Sequence, residues 1–335
     1  MAKRYLIVKI AAIGDVIMAL PMVEEIRKLD KDADITWICG KGVMPILEKF
    51  PIDHIIPIDE KKLLTGNKLQ KISVVFKAWR KIAGRKYDVV ALGHAARRYQ
   101  LLTLLTRKKI FRSFSHVMGQ IWPIPGRHHT DEYVRLVNPN NHKPIETARF
   151  PQVKLTSELQ WRTEKNGKPI VVLAPGGAKN LLADDDLRRW PIENYVKLAK
   201  EMISNGYKVI IIGANSDKWL EKYFKDIAVI NLVGKTTLVE LIGIFQNADV
   251  IVTHDSGPLH LAGLTKIKMI AIFGPTNPQE KVPRRDNVFT VWHDKEFSCC
   301  PCYDGKYYAA CKQNTCMMQI KPEEVFKLLK ERLNC

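Results

Sequence analysis

No stretch of this 335-residue chain is apolar for long enough to cross a bilayer, because a membrane-spanning helix needs about 20 consecutive apolar residues. Residues 5–10 are strand-like and too short for a signal peptide. The seven cysteines include the isolated Cys39 and Cys335, and no leader is expected before them. A reducing, cytoplasmic location is therefore expected. Several catalytic signatures are also missing. Neither first strand leads into Gly-x-Gly-x-x-Gly, so a dinucleotide fingerprint is excluded. Gly234-Lys235-Thr236 resembles the tail of a phosphate-binding P-loop, but the leading glycine would fall on Val229. There is no Ser-centred nucleophile elbow and no His-Glu-x-x-His.

Acidic residues are scarce in one region. Between Lys61 and Arg112 stand 15 basic residues and a single acid, Asp88. Residues 1–168 hold 31 Lys/Arg against 16 Asp/Glu, and the remainder 22 against 19, so nearly all of the +18 net charge lies in the first half. That asymmetry implies an anionic partner: a nucleic acid, a membrane surface or an acidic substrate. Apolar residues at 46% and charged residues at 26% are ordinary for a globular protein. The length suits about two domains.

The pattern along the chain alternates strand-like and helix-like segments, which predicts parallel sheets covered by helices. In the first half, residues 5–10, 35–39, 54–58 and 88–92 read as strands. Residues 15–29, 68–86 and 99–106 read as helices. The helix at 68–86 carries Leu69, Ile72, Val75, Phe76, Trp79, Ile82 and Ala83 near a 3.6 period, and this face is expected to cover the sheet. Polar stretches at 138–144 and 165–169 bracket a domain boundary. A second series follows, with strands at 170–174, 208–212, 229–233, 250–253 and 268–273. Its helices are predicted at 192–205, 218–226, 238–247 and 322–333. The expected fold class is α/β, with two Rossmann-like, doubly wound domains. The N-terminal domain would span 1–160 and the C-terminal domain 169–320. A terminal helix at 321–335 would pack back toward the first domain. Ligands are expected at the carboxyl ends of the strands, in the cleft between the domains.

Three loops carry candidate chemistry. Asp255-Ser256-Gly257-Pro258 follows a buried strand and opens a helix, whose first N–H groups lack intrahelical partners and favour an anion such as a diphosphate. Gly257 lets the backbone approach a ligand, and Pro258 suits the first helical turn. The same residues also suit a plain helix cap. Ala12-Ile13-Gly14-Asp15 follows the first strand and puts a carboxylate where a general base would accept a hydroxyl proton. Asp15 serves equally well there as a capping residue. Pro175-Gly176-Gly177, followed by Arg188-Arg189-Trp190-Pro191, combines backbone donors with guanidinium groups. Alternatively, these arginines neutralise Asp184, Asp185 and Asp186.

Taken together, these segments resemble a known family. Leu232 to Leu238 (LVGKTTL), Asp255 to Ala262 (DSGPLHLA) and Phe273 to Pro278 (FGPTNP) occur in that order after Gly14-Asp15-Val16 and Pro21. The chain is thereby similar, over nearly its whole length, to glycosyltransferase family 9, the ADP-heptose:lipopolysaccharide heptosyltransferases. The resemblance implies a GT-B fold and an inverting, metal-independent transfer of heptose from ADP-heptose to a Kdo or heptose of the lipopolysaccharide core. No cofactor is implied. By motif, Asp15 corresponds to the catalytic base. Arg188 stands where a Lys usually precedes x-Trp-Pro at the donor diphosphate. Ser256, Gly257, Gly176 and Gly177 would bind the same group. Asp217 and Asp255 are nucleotide-binding candidates, Asp217 for the ribose hydroxyls. Arg in place of Lys keeps the charge but changes the geometry, and the triple aspartate between Gly177 and Arg188 departs from the pattern. His260 is expected to pack under its turn rather than act in catalysis.

The surplus cations, represented by Arg97, Arg98, Arg107 and Arg112, suit an anionic acceptor at the cytoplasmic surface of the inner membrane. Arg97, Arg98 and Arg112 are the acceptor-binding candidates. Cys299, Cys302, Cys311 and Cys316, with Cys300 between them, resemble cysteines of some family members. Free thiols are the expected state, with a structural metal or a disulfide as the alternative. No His or carboxylate completes a catalytic metal set. Two other functions compete with heptose transfer. One is transfer of another nucleotide-activated sugar. The other is nucleic-acid binding, which the basic half suggests but no stacking series or binding motif supports, so no nucleic-acid partner is expected.

Overall fold

The first strand, β1 (Arg4–Val8), is buried along almost its whole length, as its apolar run requires. The computed structural model describes residues 2–114, 124, 126–156, 158–159, 167–178, 185–303, 308, 311 and 313–333. Asp184, Cys335 and residues 165–166 of the expected linker lie outside them.

The chain divides into two units, with the division between Ala148 and Arg149. In unit 1, β1 is followed by α1 (Ile13–Ala19), α2 (Pro21–Leu29), β2 (Asp34–Gly40), α3 (Met44–Leu47) and β3 (His54–Ile58). Then come α4 (Glu60–Thr65), α5 (Lys68–Ile82), β4 (Lys86–Leu92), a 3-10 segment (Arg97–Thr103), β5 (Arg107–Ser113) and α6 (His129–Arg135). The sheet order is β3-β2-β1-β4-β5, with every pair parallel. Leu6, Val8, Ile38, Val90 and Leu92 pack into its core. Order reverses between β1 and β4, so the loops after these two strands open at the topological switch point.

Unit 2 contains β6 (Ile170–Ala174), α7 (Ile192–Ser204), β7 (Lys208–Ile211), β8 (Ile230–Asn231), α8 (Leu238–Asn247) and β9 (Val250–His254). It continues through α9 (Gly257–Gly263), β10 (Lys268–Phe273), α10 (Pro278–Lys281), β11 (Val288–Trp292), α11 (Thr315–Met318) and α12 (Pro322–Leu333). Its parallel sheet runs β11-β10-β9-β6-β7-β8. The switch lies between β6 and β9, paired from Val171 opposite Val250 to Ala174 opposite Thr253. The strands are rich in Val and Ile without alternation, as parallel strands buried on both faces require. The α/β class with two doubly wound sheets is thus as the sequence reads.

Several details differ from expectation. The helix predicted over 15–29 is two helices, because Pro21 begins α2 and cannot donate to the preceding turn. Residues 99–106 and 218–226 form 3-10 segments (Arg97–Thr103 and Asn215–Tyr223) rather than α-helices. The boundary lies earlier than residue 160. Phe150 N–H donates to Leu264 O at 3.0 Å, Val153 N–H to Gln246 Oε1 at 2.8 Å, and Gln246 Nε2 to Pro151 O at 3.0 Å, so residues 150–153 belong to unit 2. Helix α12 packs on α7 and β10 and contributes Val325, Phe326 and Leu329 to unit 2's core. It is part of that unit.

Helix α5 forms as predicted, with Asn67 capping it by accepting from Gln70 N–H, but its buried face is turned away from the expected one and shares only Ile82 with it. Val74, Ala78 and Ile82 are buried, whereas Leu69, Ile72 and Phe76 are 77%, 64% and 57% exposed. Leaving such side chains in water forgoes about 1.5–3 kcal/mol each. Among the described residues, no helix is long and apolar enough to cross a membrane.

Candidate functional site

The switch point of unit 1 gathers charged groups at the carboxyl end of β1. The chain leaves β1 through Lys9 and turns at Ala12 into α1, which places Asp15 in the first helical turn. Asp15 is not the N-cap. It is three residues further on, and its Oδ2 accepts from Ala12 N–H at 3.2 Å. Its Oδ1 accepts from Tyr133 Oη at 3.1 Å. Lys9 Nζ lies 3.5 Å from Oδ2, and the Lys9 side chain is 3% exposed against 31% for Asp15. The carboxylate is therefore reachable while its counter-ion is not.

Burial is the largest single influence on the Asp15 carboxyl and pushes it upward, and the Lys9 ammonium is the largest of several that oppose it. With help from His129, the Ala12 N–H and His94, Lys9 holds Asp15 well below the ordinary carboxylate range. Lys9 is itself lowered by burial, against the opposing pull of Asp15. Burial first, then Asp15, push the Tyr133 phenol upward, so it donates to the carboxylate as a neutral hydroxyl. On the loop after β4, His94 Nε2 accepts from Ile10 N–H at 2.9 Å, and its ring stacks on Tyr99 with centroids 3.9 Å apart. Burial, followed by Lys9, lowers the His94 pKa, which suits an acceptor imidazole. An ionised, half-buried carboxylate with one buried cation and one hydroxyl donor can receive a proton from a bound alcohol.

The sequence reading found Asp15 but missed Lys9, Tyr133 and His94. Lys9 was detectable as a lysine between Val8 and Ile10 in a strand pattern with no polar side. Tyr133 gives no local signal, being 118 residues from the group it touches.

In unit 2 the switch point brings together the loops after β6 and β9. A Cβ on Gly177 would lie 3.2 Å from Ser256 Cβ, and Gly177 has φ +83°, so glycine is required there for both space and backbone conformation. Ser256 is the N-cap of α9 but makes no side-chain cap bond. Its Oγ donates to His254 O at 3.3 Å. A Cβ on Gly257 would meet nothing within 4 Å, so that face of the turn is open. Helix α9 has only seven residues, and its first-turn N–H groups matter more than any long-range dipole.

Arg188 and Asp255 form the charged core of this site. Arg188 Nη1 lies 3.4 Å from Asp255 Oδ2, and Nη2 lies 2.6 Å from Asp185 Oδ2. Lys281 Nζ lies 3.3 Å from the same Asp255 oxygen, which also accepts from Thr276 Oγ1 at 2.8 Å. Burial pushes Asp255 upward, but Lys281 and Arg188, with His260 and Thr276, hold it far below the usual range. At 3% exposure, Asp255 acts as the buried counter-ion that fixes two cations, not as a group presented to a nucleotide. Arg188 Nε is buried with no hydrogen-bond partner among the described residues, which leaves a donor unsatisfied. The alternative that these arginines neutralise the aspartates holds in part, through Asp185. Arg189 Nε instead donates to Gly177 O at 2.9 Å. Lys281 and Thr276 were missed in the sequence, although Thr276 lies within the Phe273–Pro278 motif.

Asp217 clamps two loops. It accepts from Gly177 N–H at 3.2 Å and from Ala214 N–H at 2.8 Å, and a Cβ on Gly176 would collide with its carboxyl at 2.5 Å. Both oxygens thus serve backbone donors. His260 is buried in α9 at 5% exposure. Arg97 and Arg98 are exposed. Arg112 Nη1 donates to Leu136 O and Val137 O at 3.1 Å each, closing the end of α6. Among the described residues no disulfide joins Cys299, Cys300, Cys302, Cys311 and Cys316 to one another, and no group of three His, Cys, Asp or Glu is placed to hold a metal. Cys300 and Cys316 share a hydrogen bond.

Comparison with known proteins points one way. The family model for glycosyltransferase family 9 (heptosyltransferase) matches residues 75–310. The lipopolysaccharide core heptosyltransferase OpsX of Haemophilus influenzae is 26% identical over 346 residues, covering 98% of this chain and 96% of that protein. A solved family 9 glycosyltransferase from Veillonella parvula superposes with a TM-score of 0.77 at 21% identity, over 99% of this chain and 97% of that one. The E. coli ADP-heptose lps heptosyltransferase II gives 0.73 at 17% identity, over 99% and 98%. These structures share the GT-B-type fold.

Proposed function

The chain belongs to glycosyltransferase family 9, and on that footing we propose that it moves heptose from ADP-heptose to a Kdo or heptose of a lipopolysaccharide core. The donor and acceptor follow the names of its relatives. The observation that carries the mechanism is Asp15, partly exposed at a switch point and kept ionised by the buried Lys9.

In the proposed reaction the acceptor hydroxyl attacks the anomeric carbon from the face opposite ADP. A bond forms from that oxygen to carbon, the bond from carbon to the diphosphate oxygen breaks, and the configuration inverts. Asp15 receives the hydroxyl proton. A carboxylate held this low is a weak base toward an unreacted alcohol, so the proton moves late, after carbon–oxygen bonding has acidified the hydroxyl. Tyr133 and Lys9 orient the accepting oxygens. Negative charge gathers on departing ADP. Arg188, with its unpaired Nε–H, and the amides at Ser256 and Gly257 are suited to receive it, with Gly176 and Gly177 giving the diphosphate close approach. Asp255 holds both Arg188 and Lys281 in place, and this cation set would stabilise the leaving group without a divalent metal. Arg97 and Arg98 are the acceptor's proposed anion contacts, in a peripheral location on the cytoplasmic side of the inner membrane.

The test is ADP release from ADP-heptose with a Kdo-bearing lipid acceptor. Asp15→Asn is expected to lower kcat by about 10²- to 10⁴-fold while donor binding, measured by calorimetry with ADP, persists. Wild-type rates in that variant would remove Asp15 from the chemistry. Turnover only with a different nucleotide sugar would replace the donor.

A further inference from the structure

The outward face of α5 is the largest surface feature that the transfer reaction leaves unexplained. Leu69, Ile72 and Phe76 are more than half exposed. At 3.6 residues per turn they fall, with Trp79, within roughly a quarter of the helix circumference. The stripe does not end with the helix. Trp79 Nε1 donates to Leu101 O at 2.7 Å, and Gly84 N–H donates to Leu105 O at 3.3 Å. This joins α5 to the turn where Leu101, Leu104 and Leu105 are 49%, 60% and 45% exposed.

Charge surrounds this apolar strip with one sign. On the helical projection Lys77 and Arg80 border one side and Lys68 the other, all exposed. Helix α5 carries no acid, and the one acid between Lys61 and Arg112, Asp88, is paired with Lys109 at 2.6 Å. A protein partner with an apolar groove would need acids on both rims to match. An anionic bilayer supplies that field along the whole strip. Lysine and arginine stems can lie along the apolar surface with their charges at the headgroups.

We propose that the outer face of α5, with the adjoining turn at Leu101–Leu105, lies in the surface of an anionic lipid bilayer, the helix axis parallel to the membrane plane. This deepens, and rests on, the peripheral location proposed above. It assigns that location to a particular surface. Apolar side chains enter the boundary between headgroups and acyl chains, while the flanking cations contact lipid phosphates.

The experiment uses the full chain and co-sedimentation with vesicles of phosphatidylethanolamine and phosphatidylglycerol, or of phosphatidylcholine alone. The comparison protein is Leu69→Gln/Ile72→Gln/Phe76→Gln, which keeps good helix formers on an already exposed face. Wild type is expected on the anionic vesicles and not on the neutral ones, with binding weakened by salt. The triple variant is expected to lose at least tenfold in partitioning, with unchanged circular dichroism and unchanged ADP release on a water-soluble, lipid-free acceptor. Wild-type partitioning in the variant, indifference of the wild type to anionic lipid, or a wild-type dimer that the variant dissolves without losing vesicle binding would each overturn the proposal. The soluble-acceptor assay reports on heptose transfer separately, so failure of one reading does not imply failure of the other.

Discussion

Lys9 is the residue on which the character of Asp15 depends. It sits at the end of a strand pattern otherwise made of Tyr, Leu, Ile and Val, and its side chain is 3% exposed. A buried ammonium is costly unless paired, and Asp15 is its carboxylate partner. The pair gives a pH prediction with a definite sign. In the proposed mechanism activity requires Asp15 unprotonated, so rate should be lost as pH falls through its pKa, which lies below the ordinary carboxylate value. Lys9→Gln removes the main lowering influence and leaves the burial that raises it. The acid limb of kcat/KM should therefore move to higher pH in the variant, read from full pH–rate profiles. An unmoved limb would show that Lys9 does not set the ionisation of the base. At this scale the sequence disclosed the candidate site residues unevenly. Asp15, Arg188 and Gly177 stand next to strand ends and can be picked out from local pattern. Tyr133, Thr276 and Lys281 reach their partners only through the folded chain, and no spacing rule marks them.

In unit 2 loops between elements hold the candidate site together, and Asp217 is their clamp. Its two oxygens accept from Gly177 N–H and Ala214 N–H, so the turn after β6 and the turn after β7 are tied through one carboxylate that is 5% exposed. Asn at this position has one acceptor oxygen and an NH₂ that cannot accept. Asp217→Asn should leave one buried N–H unpaired and cost about 1–3 kcal/mol, measured as a lower urea midpoint with an unchanged m-value. A midpoint equal to wild type would mean that the two loops hold their positions without the clamp. The helices illustrate a different limit of sequence reading. In α5 the 3.6 period was correct and the buried face was not, because the helix carries two apolar stripes. The larger residues, Leu69, Ile72 and Phe76, suggested the core, but the smaller Val74 and Ala78, with Ile82, pack more closely on the sheet. Strand β5 was missed for the related reason that Arg107–Ser113 is an exposed edge, where charged residues are expected and periodicity gives no warning.

For the whole molecule, the division of the chain governs stability. Polar composition near residues 138–144 and 165–169 suggested a border at 160 to 169, because linkers are usually polar. The contacts of residues 149–156 give a different answer. Phe150 is 7% exposed and its N–H is bonded to the carbonyl of Leu264, at the end of α9. A Cβ on Gly243 of α8 would come within 2.5 Å of Leu155 Cδ2, so that side chain already lies tight against the helix. Val153 and Pro151 both bond the side chain of Gln246. Composition cannot reveal this, because the segment has no regular element and its partners lie about 90 residues later. Burial of Phe150 contributes about 1.5–3 kcal/mol, and the three hydrogen bonds about 1 kcal/mol each. A fragment of residues 149–335 is therefore expected to unfold cooperatively in urea. A fragment of residues 169–335 should be less stable by roughly 4.5–6 kcal/mol on those same increments, or fail to fold. Equal midpoints for the two fragments would place residues 149–156 outside the second unit's cooperative core, and the border would then return to the position that polarity alone suggests.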